Sequence, residues 1–189
     1  MTGKKVTVID ELNIKGSGLY AFMPFERLDK NKKAVFKIGL ATKSFERRVE
    51  QYHTYLPKGV YMVAFLENPP IPRKLRSKDK ETPTKQHYTV IEKFILKYID
   101  DNGGRRIYST ARVRNPNDTG EGETEWTYTN EETIHNAFRE AQKKFSGNLK
   151  LFYLEGYNPE TKKTESINEI ARVNESKNPH YTGKIIFHY

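Results

Sequence analysis

The chain of 189 residues contains no cysteine. Disulfide frameworks and thiolate metal sites are therefore excluded, and a structural zinc would have to draw on five scattered histidines. Long apolar runs are missing too. Nowhere do about 18 uncharged apolar residues follow one another, so the sequence reads as soluble and intracellular, without a membrane partner. The opening residues, MTGKKVTVIDELN, hold a Lys pair with no apolar stretch behind it, unlike a secretory leader. Internal repeats and low-complexity tracts are absent, which excludes solenoids and fibrous arrays.

What the chain does contain is aromatic surface and positive charge. Hydrophobic residues reach only 35%, yet ten Phe and twelve Tyr are present, and aromatics bury much area per residue. One core of ordinary size follows. Lys and Arg number 33 against 24 Asp and Glu, a net charge of +9 that favours polyanionic partners, nucleic acid first.

Periodicity predicts an α/β (α+β) fold with a small central antiparallel or mixed sheet and flanking helices. GLYAFMP at 18–24 and AVFKIGLA at 34–41 read as a hairpin across a polar turn. Ser44 is placed to cap a helix running to about Leu56, with Phe45, Val49, Tyr52 and Leu56 on one stripe. VYMVAFL at 60–66 reads as a third strand, ended by Asn68-Pro69-Pro70. Residues 71–87 hold six cations against two acids without periodicity and read as an exposed connection. Tyr88 to Asp101 then reads as a second long helix with a broad apolar face at 90, 91, 94, 95, 98 and 99, stopped by Asn102-Gly103-Gly104. The order is ββαβα.

From Arg105 to Arg114 the alternation has period two, which puts Arg106, Tyr108, Arg112 and Arg114 on one cationic side of a strand. A short strand at 125–129 leads to a helix that Thr129 caps, with Glu132 completing a capping box. The tail offers Leu149 to Tyr157, a turn at Asn158-Pro159 and a last strand at 184–189. The organisation expected is an N-terminal extension at 1–17, a domain at 18–101, and a basic α+β extension at 102–189 packed on that domain.

Three polar side chains border the same expected core. Arg48 and Tyr52 are four apart and so project from one helix face, while Glu92 sits at the edge of the apolar face of the second helix. Each has an ordinary reading: Arg48 as a partner for Glu50, and Glu92 as a carboxylate that meets the positive helix end in the first turn.

With GLY at 18–20, KIG at 37–39, FERRVEQY at 45–52 and VIEKFILKYI at 90–99, residues 18–99 resemble the GIY-YIG nuclease superfamily. Lys37 before Ile-Gly, and Glu125-Trp126-Thr127-Tyr128 further on, resemble its viral and phage branch. The resemblance implies a GIY-YIG-like ββαβα core and metal-dependent hydrolysis of phosphodiester bonds in DNA. It assigns Tyr20 to assisting a water, Arg48 to steadying phosphate charge, and Glu92 to holding one divalent cation, Mg²⁺ or Mn²⁺. Tyr52 orients the phosphate or its water, and Lys37 is the cation that lowers the proton affinity of the Tyr20 phenol. The expected nucleic-acid contacts are Arg73, Lys74 and Arg76 in the basic loop and Arg106, Arg112 and Arg114 on the strand.

A second reading keeps the fold without the catalysis. The superfamily's second signature offers a tyrosine where this chain has Lys37, and no asparagine stands in a matching motif after the Glu-bearing helix. A basic nucleic-acid-binding or structural component of a large assembly such as a virion, a minor capsid protein with protein partners, fits those departures.

Overall fold

A computed structural model describes residues 14, 16–24, 31–52, 60–75, 81–107, 125–158, 163–166 and 184–185. Strand β1 (Gly18–Pro24) is buried along its whole length, and so is β3 (Val60–Glu67). Such unbroken apolar runs suit strands covered on both faces. Between them in sequence, β2 (Lys33–Ala41) pairs with β1 in antiparallel register, Tyr20 opposite Gly39 and Phe22 opposite Lys37. Helix α1 (Phe45–Glu50) follows, its start held by the Ser44 hydroxyl, which accepts from the Arg47 N–H at 3.3 Å. Described helix ends at Glu50, and residues 53–59, with the expected last turn, lie outside the described residues.

The expected connection at 71–87 is largely not a loop. After a single 3₁₀ turn (Arg73–Leu75), helix α2 runs from Glu81 to Asp101, seven residues longer than its apolar pattern suggests. Its buried face takes in Pro83, Thr84 and His87 before reaching Tyr88, Ile91, Ile95 and Ile99, and these polar positions hid the period. Pro83 is tolerated because the first helical turn has no N–H partner to lose. Val90, placed on the inner face by sequence, is 54% exposed.

The remaining elements complete the same sheet. Strand β4 (Arg105–Arg106) pairs with β5 (Trp126–Asn130), and β5 pairs with β2. Helix α3 (Glu131–Phe145) is capped by Asn130, whose side-chain oxygen accepts from the Thr133 N–H at 2.8 Å. Thr129, the expected cap, is instead a buried residue of β5. Strands β6 (Asn148–Leu151) and β9 (Lys184–Ile185) pair with successive parts of β3. The segment read as one stretch from Leu149 to Tyr157 divides, because β7 (Glu155–Asn158) forms a separate hairpin with β8 (Lys163–Ser166).

Among the described residues seven strands thus make one antiparallel sheet in the order β4-β5-β2-β1-β3-β6, with β9 on β3, an α+β fold as expected. One hydrophobic core joins the sheet to the helices, with Phe22, Phe36, Phe45, Phe65 and Phe138 fully buried, each worth roughly 2–3 kcal/mol of burial. Helices α2 and α3 meet through Phe94 and Phe145, whose rings stack edge to face at 5.4 Å. No helix among the described residues is long and apolar enough to cross a membrane.

Candidate active site

Tyr20 points inward from β1 and is fully buried. Its ring stacks on Phe22 at 5.5 Å and lies across Gly39 of the neighbouring strand. A Cβ at Gly39 would stand 2.4 Å from the Tyr20 hydroxyl, so that close approach demands glycine. Gly18 is required likewise, since a Cβ there would meet the Leu66 carbonyl oxygen at 2.2 Å.

The Tyr20 hydroxyl is 2.6 Å from the hydroxyl of Tyr52, and the Arg48 Nε–H donates to it at 3.3 Å. Arg48 also donates from Nη1 to Gln51 Oε1 at 2.8 Å, and its guanidinium lies 5.5 Å from the centre of the Tyr52 ring. One phenol pair and one guanidinium are thereby locked together. Burial, reinforced by Tyr52, pushes the Tyr20 phenol well above the ordinary tyrosine range.

Lys37 is not the cation beside Tyr20. It lies two residue pairs along the hairpin, opposite Phe22, and its ammonium forms a salt bridge with Glu125 while sitting 5.6 Å from the Trp126 ring centre. Arg48 takes the place expected of it.

Glu92 stands in the middle of the 21-residue helix α2 and not in its first turn, so attraction to a helix end does not account for it. The residue is 8% exposed, and its Oε1 has no hydrogen-bond partner. Burial, then the nearby charge of Glu125, push its carboxyl up to about 7, against the opposing pull of Lys37, Arg48 and Arg106. A carboxylate left in this condition is costly, since an unmet buried polar group forfeits about 1–3 kcal/mol.

Glu92, Arg48 and Glu125 line one open cleft of about 480 Å³, with Tyr20 and Tyr52 behind Arg48. No family model, curated protein or solved structure matches this chain. Among the described residues there is no group of three or more His, Cys, Asp or Glu able to hold a metal ion. A hard divalent cation nevertheless fits the donors present, because Mg²⁺ commonly binds through one or two carboxylates, substrate phosphate and retained water. Glu92, with its orphaned oxygen, and Glu125 are the two carboxylates that line the cleft.

The expected nucleic-acid contacts fare differently. Arg73 and Lys74 are exposed on the 3₁₀ turn but do not line the cleft. Arg106 turns inward: its Nε–H donates to Asp100 Oδ1 at 3.0 Å and its side chain is only 10% exposed, because Asp100 at the end of α2 draws it off the expected cationic side. Arg105 is the exposed member of β4 and lies 5.7 Å from the Tyr128 ring centre. Arg76, Arg112 and Arg114 lie outside the described residues.

Glu125 is the site residue that residue-by-residue reading missed. Its signal was its place before Trp126, where β5 begins its pairing with β2. Lys43, Arg47 and Lys85, which also line the cleft, carried no sequence signal beyond their charge.

Proposed function

We propose that the protein is a metal-dependent endonuclease of GIY-YIG type that hydrolyses phosphodiester bonds in DNA. The observation that carries this reading is a buried, unpartnered Glu92 oxygen in the same cleft as Arg48. Arg48 supplies fixed positive charge for the nonbridging oxygens of a phosphate, where charge grows during hydrolysis. The Tyr20 hydroxyl, itself hydrogen-bonded to that of Tyr52, accepts from the guanidinium, and the Tyr52 ring lies against it. With its phenol pushed up by burial, Tyr20 stays protonated near neutral pH and serves as a hydrogen-bonding and proton-holding group rather than as a free base. Glu92 and Glu125 would hold Mg²⁺ or Mn²⁺, which would supply Lewis acidity toward the phosphate.

The test is nicking of supercoiled plasmid in Mg²⁺. Glu92→Ala and Arg48→Ala are expected to lose at least about 100-fold in rate while retaining DNA binding. A folded protein that cuts no duplex, branched or single-stranded DNA in Mg²⁺ or Mn²⁺ overturns the proposal.

One observation favours the second reading. The Lys37 ammonium already pairs with Glu125 and acts electrostatically on Glu92, as a resident positive charge among the same carboxylates. In that case the cleft binds nucleic acid without cutting it, as a component of a larger assembly such as a virion would.

A further inference from the structure

The cleft at Glu92 does not end there. A second hollow of about 600 Å³, lined by Thr82, Lys85, Gln86 and Thr89, shares Lys85 and Thr89 with it and continues along the first half of α2. From Thr82 to Thr89 the helix advances roughly 10 Å, room for about three nucleotides at the ~3.4 Å rise of a DNA strand. A single phosphate ion needs none of this length.

The charges along the hollow point the same way. Lys43, Arg47, Arg48 and Lys85 outnumber the two carboxylates of the cleft, and Glu125 is already paired with Lys37. Arg48 is held by Tyr20 and Gln51, whereas the side chains of Arg47 and Lys85 are exposed and have no ion-pair partner among the described residues. Cations without partners around a polar groove attract a polyanion. Thr82, Lys85, Gln86 and Thr89 offer no aromatic platform on which bases could stack, so contact here is to backbone phosphate and independent of base sequence.

We infer that the groove seats one strand of DNA, with phosphates flanking the reacting one held by Lys43, Arg47 and Lys85 and the strand directed along the Thr82–Thr89 face of α2. The inference rests on the nuclease reading for the position of the reacting phosphate, beside Glu92 and Arg48. It moves the nucleic-acid contacts from Arg73 and Lys74 to the rim of the site.

The test is fluorescence anisotropy of labelled single strands and duplexes about 20 nucleotides long, in EDTA so that nothing is cut, at a series of salt concentrations. Replacing Lys43, Arg47 and Lys85 together by Ala is expected to weaken binding about 30-fold and to lower the slope of log affinity against log salt by about 2, since each phosphate left without its cation removes roughly 0.7–0.9. The single variant Lys85→Glu is expected to weaken binding in the same direction. Lys143→Ala, which removes a cation paired with Glu140 on α3, is expected to change neither quantity. An unchanged slope in the triple variant, an equal loss in Lys143→Ala, or a wild-type protein that binds no strand overturns the inference. Cutting of DNA together with an unchanged slope removes the groove alone, and binding through the groove without cutting removes the nuclease alone.

Discussion

The Tyr20 hydroxyl rests over Gly39, closer than any side chain at that position allows, and from there reaches both Tyr52 and Arg48. Gly39→Ala is therefore expected to displace the ring and to cost about 1–3 kcal/mol of stability, typical of overpacking. Activity falls with it, because Arg48 loses an anchor. Thermal unfolding checks the first effect, and a double-mutant cycle isolates its cause: in a Tyr20→Ala background, Gly39→Ala costs almost nothing further. Equal costs in both backgrounds would locate the strain elsewhere.

Glu92 links stability to pH. Its carboxyl is pushed from the ordinary 4.5 up to about 7, so between those values the folded protein keeps a proton that the unfolded chain has released. Stability in metal-free buffer is thus expected to fall as pH rises through this window and then level off. Glu92→Gln removes that decline and is expected to gain about 1 kcal/mol, or roughly 3 °C, at pH 8, and to lose the nicking proposed for the cleft. A Gln variant less stable than wild type at that pH would contradict this account of the buried carboxyl.

The neighbours of Glu92 act on it in opposite directions. Glu125 raises its proton affinity and Lys37 lowers it. In EDTA, Glu125→Gln is expected to move the stability transition of Glu92 to lower pH and Lys37→Ala to move it to higher pH. Shifts of the same sign in both variants would rule out this arrangement of charges.

His135 governs the acid side. Its Nε2 faces two carbonyl oxygens, Val63 at 3.1 Å and Phe152 at 3.0 Å, so that nitrogen carries the proton of a neutral ring. Burial lowers the proton affinity of the ring from its ordinary 6.5. The unfolded chain then takes up a proton that the folded one refuses, so the contribution of His135 to stability drops as pH falls below about 6.5, opposite in sign to that of Glu92. In a Glu92→Gln background, replacing His135 by Gln retains a donor for the carbonyls and is expected to shrink the loss of melting temperature from pH 7.5 to pH 5, a comparison spanning the usual histidine range of about 6.5.

Sequence made some of this structure visible. The apolar runs of β1 and β3, the Ser44 cap and the hairpin of β1 with β2 follow from local pattern, while the register that sets Tyr20 against Gly39 is seen only in the structure. The first turns of α2 did not, since Thr84 and His87 are polar residues buried by tertiary packing. Arg106 misled for a related reason: alternation divides a strand into two sides without saying which one finds an acid, and here Asp100 does the finding. Glu125 reaches the cleft through the pairing of β5 with β2, a contact between distant parts of the chain that no local period encodes.

The strand order also sets when the cleft can exist. The edges of β2 and β3 are covered by β5 on one side and by β6 and β9 on the other, all supplied by residues beyond 125. During synthesis the tyrosines, Arg48 and Glu92 therefore emerge well before the strands that close the sheet around them and before the carboxylate that completes the pair. A nascent chain that stops short of residue 125 is an unfinished sheet with bare edges, and the cleft in its complete form is a late product of translation.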